Sequence, residues 1–483
     1  MLHCLSVFSI AALLLVTPVA AATGVSGTIT TTTWEKALSP YRVTDTITVP
    51  SGNVLTIEPG VDILFDADVQ FVVQGKLYAV GTYADSIRFL KGTAVNWRGI
   101  RITGGDTSTI AHMRISGGKA RGSTRQDSCG GALFLSGKGT RAGMSNSVIS
   151  GNSSTAWWPG GGGVMNSENA ALTMTNCTVS SNSTSGYGGG VHSGNKAALT
   201  MTNCTVSGNK AVNGGGAFNS SATLTMMNCA VSGNKASYFG GGVASYSGSL
   251  TMMDCTISGN SAWSPGGAVL NDFSATLTMT NCTISRNSSH EGGGFVYNAN
   301  NAKLTITNSI LWANSAPTEP EIRRQSGAIT IRNSDVQGGI PSGVTDGGGN
   351  INADPLFVNP SMGDYHLQGG SPARDMGAFP WPVAVIEQDP VPRFYLWQNH
   401  PNPFNPSTAI HFSLSDAGLV SLAVYDVNGR LVRTLVDNTL ANGQYEIVWN
   451  GTDDMGWNVA SGVYLCRLIF HERALTGKMT LVR

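Results

Sequence analysis

Six aromatic side chains fall at nearly the same place in successive repeats of this chain: Trp157 and Trp158, then Tyr187, then Tyr238 and Phe239, then Trp263. Aromatic faces offer a sugar an apolar surface with polar edges. Set on rungs about 4.8 Å apart, the spacing of hydrogen-bonded strands, they match the repeat of an extended polysaccharide. The competing expectation is that the rings pack on one another and shield loop corners. Val212 and Asn213 interrupt the series.

Carboxylate chemistry has less to draw on. Glycoside hydrolysis needs two carboxylates converging on one face, and uronate lysis needs a calcium-binding carboxylate cluster with a base nearby. Residues 144–316 hold four carboxylates: Glu168, Asp254, Asp272 and Glu291. Asp254 falls in a series of turn residues, Asp272 follows a glycine-corner strand, and Glu291 lies one repeat later beside His290. Asp272 and Glu291 are the pair able to converge. His112 and His192 stand alone at strand positions and read as structural or solvent-facing. Asp453 and Asp454 read as a turn. These residues call for no cofactor and no metal.

The elements that position these side chains are legible in a repeat. Cys177, Cys204, Cys229, Cys255 and Cys282 recur 27, 25, 26 and 27 residues apart inside the phrase NCTVSGN or a variant, and Ser147 and Ser309 hold the same slot at either end. A unit of this size cannot bury its own apolar face and must stack on its neighbours. Each unit reads as short alternating strands such as LTMTNCTVS and GGGVHS, punctuated by Asn and Gly, with no room for a helix. The expected architecture is a parallel β-helix of about a dozen coils.

Stacking coils place like residues in ladders. One Asn ladder runs Asn146, Asn176, Asn203, Asn228, Asp254, Asn281, Asn308, and a second runs Asn152, Asn182, Asn209, Asn234, Asn260, Asn287, Asn314. Stacked amides bond up the stack, and Asn tolerates a left-handed corner. The glycine runs at 160–163, 188–190, 214–216, 240–242 and 292–294, with Gly266 and Gly267, suit corners too tight for a Cβ. The ladder cysteines point in parallel and read as a reduced, buried stack.

Net charge is zero and only 12% of residues are charged. No basic stripe marks a nucleic-acid or anionic-membrane partner. Residues 5–16, LSVFSIAALLLV, followed by Pro18 and Ala20–Ala22, read as a secretory signal peptide over residues 1–22. No later run is long and apolar enough for a transmembrane segment.

The passage VTDTITVPSGNVLTIEPGVDILF and the GN, GGG and NC/NS phrases of residues 144–316 resemble secreted bacterial right-handed β-helices of the pectate-lyase-like and polymorphic outer-membrane-protein type. That resemblance implies the right hand and an all-β β-helix over 23–379. The phrase NINADPLFVNPSMGDYHLQGGSPARDMGA in 317–379 is similar to the closing segment of such proteins. The catalytic phrases of polygalacturonases, Gly-His-Gly, Asn-Thr-Asp and Arg-Ile-Lys, are missing from the coils. Residues 380–393, with four prolines, read as a linker. Six or seven short strands in 394–483 suggest a β-sandwich. There PNPFNPST, VYDVNGRLV, WNGTDDMG and ASGVY resemble the C-terminal sorting domain of type IX secretion cargo and the Ig-like domain of flagellar hook-capping proteins. This implies passage through an export machine in the outer membrane and a secreted or cell-surface location.

Three functions stay open. The first is a non-catalytic adhesion or carbohydrate-binding protein, with a polysaccharide or surface glycan as partner. The second is a polysaccharide lyase or glycoside hydrolase, and the third is a structural surface-layer component. An exposed aromatic row points to the first, and a carboxylate cluster on one coil face to the second.

Overall fold

A computed structural model describes residues 22–378 apart from 94, 95 and 159, and residues 395–482 apart from 398, 400, 401, 415–417, 442, 471 and 472. The expected signal peptide, except residue 22, and the linker 380–393 lie outside the described residues. The chain divides into two compact units, Met1–Val383 and Ala384–Arg483.

The first unit is a parallel β-helix. Its coils stack in register, as where Ala171–Thr175 pairs with Ala198–Thr202 residue for residue. A 13-stranded sheet runs from Thr32–Trp34 to Thr345–Asp346, and a seven-stranded sheet of two-residue strands runs from Lys119–Ala120 to Ser288–Ser289. A 23-stranded sheet carries the strands typified by Thr178–Ser180 and Val191–Gly194. Period-two alternation decides which side chains enter the bore. The regular coils send in a Leu, a Met, a Cys and a Val or Ile, as in Leu199, Met201, Cys204 and Val206, while threonines such as Thr200 face out. Each fully buried Leu or Val contributes about 2 kcal/mol.

Aromatic rings fill the first coils. Trp34 stacks on Tyr41 at 4.7 Å and meets Phe71 edge-on at 5.9 Å, and Phe65 stacks on Trp97 at 4.0 Å. At the other end Ile340 and Val344 pack against the same core. The expected closing segment therefore has two parts. Residues up to about Ile351 finish the stack. Beyond them the hairpin Phe357–Asn359/Asp364–Leu367 folds against the outer flank, with Phe357, Tyr365 and Ala373 packed on Ile310. The Ala378 amide donates to Thr283 Oγ1 at 3.0 Å.

Both Asn ladders form, with different roles. Every member of the first holds a left-handed backbone, φ 48° to 54°. Asn176, Asn203, Asn228, Asn281 and Asn308 each donate from Nδ2 to the Oδ1 of the preceding coil at 2.8–3.1 Å. Asp254 accepts from Asn281 but has no amide N–H to pass on to Asn228. This ladder is partly open to solvent.

The second ladder is buried and saturated. From Asn152 to Asn287 each Nδ2 donates to the next coil's Oδ1 at 2.8–3.1 Å. The same Oδ1 accepts the backbone N–H of the coil below at 2.9–3.0 Å. The remaining amide hydrogen reaches a strand carbonyl, as from Asn234 to Val206 at 2.8 Å. A third corner series, Asn166, Ser193, Asn219, Ser245, Asn271 and Asn298, was not anticipated; its Asn271 Nδ2 donates to Asn298 Oδ1 at 2.8 Å.

The buried ladder ends on a carboxylate. Glu321, 4% exposed, accepts from Asn314 Nδ2 at 2.7 Å through Oε2 and from the Asn314 N–H at 3.4 Å through Oε1. It thus supplies the acceptors that a further Asn would supply. Burial outweighs those two bonds and raises its pKa to about 7.

The described cysteines are free and buried. The Cys204 Sγ donates to the carbonyls of Met174 at 3.5 Å and Thr202 at 3.3 Å, and burial pushes the Cys255 thiol well above its usual range.

In the second unit a three-stranded and a four-stranded antiparallel sheet share a core that includes Phe412, Leu422, Trp449 and Phe470. This all-β pair, a parallel solenoid followed by a small sandwich, is the expected fold class.

Asn234→Ala strands two donors of Asn209 and is expected to cost about 3 kcal/mol, whereas Asn203→Asp in the open ladder should cost about 1 kcal/mol. Denaturant midpoints check the order, and equal losses would contradict the distinction. For Glu321 the folded pKa lies above the ordinary 4.5, so its contribution is full below pH 4.5 and is lost as pH rises through about 7. Glu321→Gln should flatten the fall in melting temperature between those limits.

Candidate functional site

The aromatic residues sit on loops that are themselves laddered. Tyr187 pairs with Asn213, the Tyr238 amide donates to the Val212 carbonyl at 2.9 Å, Ser264 donates to Tyr238 at 3.0 Å, and His290 donates to Trp263 at 3.2 Å. After each loop the chain turns so closely that a Cβ on Gly162, Gly189, Gly215, Gly241 or Gly267 would lie 2.3–2.4 Å from the next coil's carbonyl oxygen. Only glycine fits there.

Beneath the loops lies a floor that the sequence reading missed. The floor strands put Met165, His192, Phe218, Ala244, Leu270, Tyr297 and Arg323 in one outward row. Phe218, Ala244 and Leu270 are buried, with Tyr187, Phe239, Tyr246 and Tyr297 packed against them. Before Met165 the row continues through Phe134 to Arg101, and at the other end it stops at Arg323. The Arg101 guanidinium lies 5.6 Å from the Phe134 ring centre and Arg323 5.8 Å from that of Tyr297. Arg101 is fully buried, which pulls its pKa down to about 9, and its Nη1 donates to the Gly130 carbonyl at 2.7 Å.

The six aromatic residues divide between the two expected roles. Tyr187 meets Phe218 at 4.9 Å and Phe239 stacks on Tyr297 at 5.9 Å, so both join the floor. Trp158 meets Tyr187 edge-on at 4.8 Å while remaining 53% exposed. Trp157, Tyr238 and Trp263 face solvent at 66%, 55% and 57% exposure. The break at Asn213 has a structural reason. Its Nδ2 donates to the Tyr246 hydroxyl at 3.1 Å and its Oδ1 accepts the Phe239 N–H at 3.0 Å.

His290 continues the edge, its ring stacked on Trp263 at 4.1 Å and 7°. Its place one coil after Trp263 was the available signal. His192 is a floor residue. Its Nδ1 accepts the Gly160 N–H at 3.2 Å, leaving the proton on Nε2, and burial with the nearby Arg125 lowers its pKa to about 3.

The carboxylates do not converge. Glu168 is engaged by Arg125 at 3.2 Å and Ser136 at 2.6 Å, and Asp254 belongs to the open Asn ladder. Asp272 accepts from the Phe273 N–H at 2.7 Å and from Asn300 at 2.6 Å. It ends the floor strand Val269–Asp272, whereas His290 and Glu291 precede the next one, Val296–Asn298, so the two groups lie at opposite ends of the floor. Asp453 Oδ1 accepts the N–H groups of Met455 and Trp457, as a turn residue does. No cluster of three or more metal-ligating side chains occurs among the described residues.

Residues 78–238 and 188–337 match the right-handed β-helix region, and the chain belongs to that family. Residues 404–468 match the FlgD Ig-like domain. No curated protein matches the chain. Among solved structures it is similar to the enzymatically active domain of tailspike protein 2 of bacteriophage CBA120. That likeness has 10% identity and a TM-score of 0.28, covering 90% of this chain and 72% of that one.

Proposed function

We propose that the β-helix is a non-catalytic carbohydrate-binding unit that engages an extended glycan along its aromatic loop edge, on an exported protein of the cell surface. The observation that carries this is the exposure of Trp157, Tyr238 and Trp263 on laddered loops. A soluble chain gains nothing in folding from large rings left in water. Tyr238 and Trp263 stand on successive rungs, about 4.8 Å apart, with Trp157 three rungs before Tyr238 along the same edge, and a sugar's apolar face packs on such rings. The buried floor beneath keeps the platforms rigid, so little ordering entropy is lost on binding.

For the terminal unit, the phrases PNPFNPST and VYDVNGRLV, together with the match to an Ig-like domain, support a role as a type IX sorting signal. Deleting residues 394–483 should leave the protein inside the cell, as followed by surface labelling of the native host; normal export of the truncated chain would contradict this.

The edge itself is tested by titrating the full chain with extended polysaccharides under tryptophan fluorescence. Trp263→Ala should weaken binding about tenfold, about 1.4 kcal/mol. An unchanged affinity in both Trp157→Ala and Trp263→Ala would sink the assignment.

A further inference from the structure

The two-residue strands that lead into the aromatic loops carry a charge pattern that stability does not explain. In this seven-stranded sheet the first positions form a ladder: Lys119, Ser153, Ser183, Lys210, Lys235, Ser261 and Ser288. Four coils place a neutral Ser there. Two adjacent coils place Lys210 directly against Lys235, both exposed. Like charges opposite one another on neighbouring strands are destabilising, and Ser at the same slot avoids that cost. Among the described residues neither lysine enters an ion pair.

The lysines are also well placed. Tyr238 follows Lys235 by three residues, about 10 Å of extended chain, and a Lys side chain spans much of that distance. The coil of Lys210 is the one in which Asn213 interrupts the aromatic edge, so the cationic pair lies beside the gap between Tyr187 and Tyr238. Of the four carboxylates of residues 144–316, Glu168, Asp254 and Asp272 are engaged or sited elsewhere, and the exposed Glu291 lies at the far end of the edge, two coils beyond Lys235.

We propose that Lys210 and Lys235 form an anion-recognition step within the aromatic edge, so that the glycan it takes is an acidic polysaccharide bearing carboxylate or sulfate groups. This rests on the glycan-binding assignment and adds its charge class. Two ammonium groups on successive rungs meet anionic groups on successive sugars, while Trp157, Tyr238 and Trp263 take the ring faces on either side.

The test compares two polymers with one backbone, carboxymethylcellulose and neutral hydroxyethylcellulose, against the full chain in affinity electrophoresis. The native chain should bind the anionic polymer more tightly, with an advantage that fades at high salt. Lys210→Gln with Lys235→Gln should weaken that binding about tenfold and leave the neutral polymer unaffected. Its melting temperature should stay level or rise, because a repulsive pair has gone. Unchanged binding of carboxymethylcellulose by the double variant overturns the proposal. In that event sensitivity of either polymer to Trp263→Ala keeps the aromatic edge. Native chain that binds neither polymer sinks both.

Discussion

The structure depends on how a buried amide is satisfied at one corner of each regular coil from Asn152 to Asn314. An Asn side chain carries two donors and an acceptor with two lone pairs. In the inner ladder all are used: two bonds accepted by Oδ1, one donated upward and one to a strand carbonyl, as at Asn234. A buried amide left short of partners costs about 1–3 kcal/mol per group, so each Asn fixes the next coil's height and angle. The ladder must also end somewhere. Glu321 ends it with the two acceptors that a further coil would have provided, and desolvation of that carboxylate couples the last coils to pH.

The edge inherits its order from that corner. Each aromatic loop begins three to six residues after an inner Asn and closes at a glycine whose Cβ would strike the next coil. Loop height is therefore fixed on both sides. The apolar floor of Phe218, Ala244 and Leu270 adds a second core outside the bore, and it takes up Tyr187 and Phe239. What remains outward is a row of platforms whose spacing belongs to the sheet rather than to the loops.

The period, the ladders and the glycine corners were legible because stacking makes identical residues recur at one slot. The floor was not, since a strand such as VHSG or AFNS is too short for alternation to show two buried faces, and nothing in its composition tells an outward Phe218 under a loop from one in solvent. Glu321 lies past the last repeat, where periodicity gives no alignment. The flank hairpin around Phe357 and Tyr365 escaped for a similar reason: its contact with Ile310 joins a regular coil to an irregular tail. Among the edge residues, His290 was visible only as a neighbour of Glu291, although its slot matches that of Trp263. The ring stack that pairs them is a tertiary fact.

The most direct measurement of the central claim is hydrogen exchange by mass spectrometry on the full chain, with and without a saturating extended polysaccharide. Binding along the edge predicts added protection confined to the loops around 156–160, 185–188, 211–214, 237–240 and 263–266, continuous from coil to coil. Protection elsewhere on the solenoid, or confined to one coil, would contradict it.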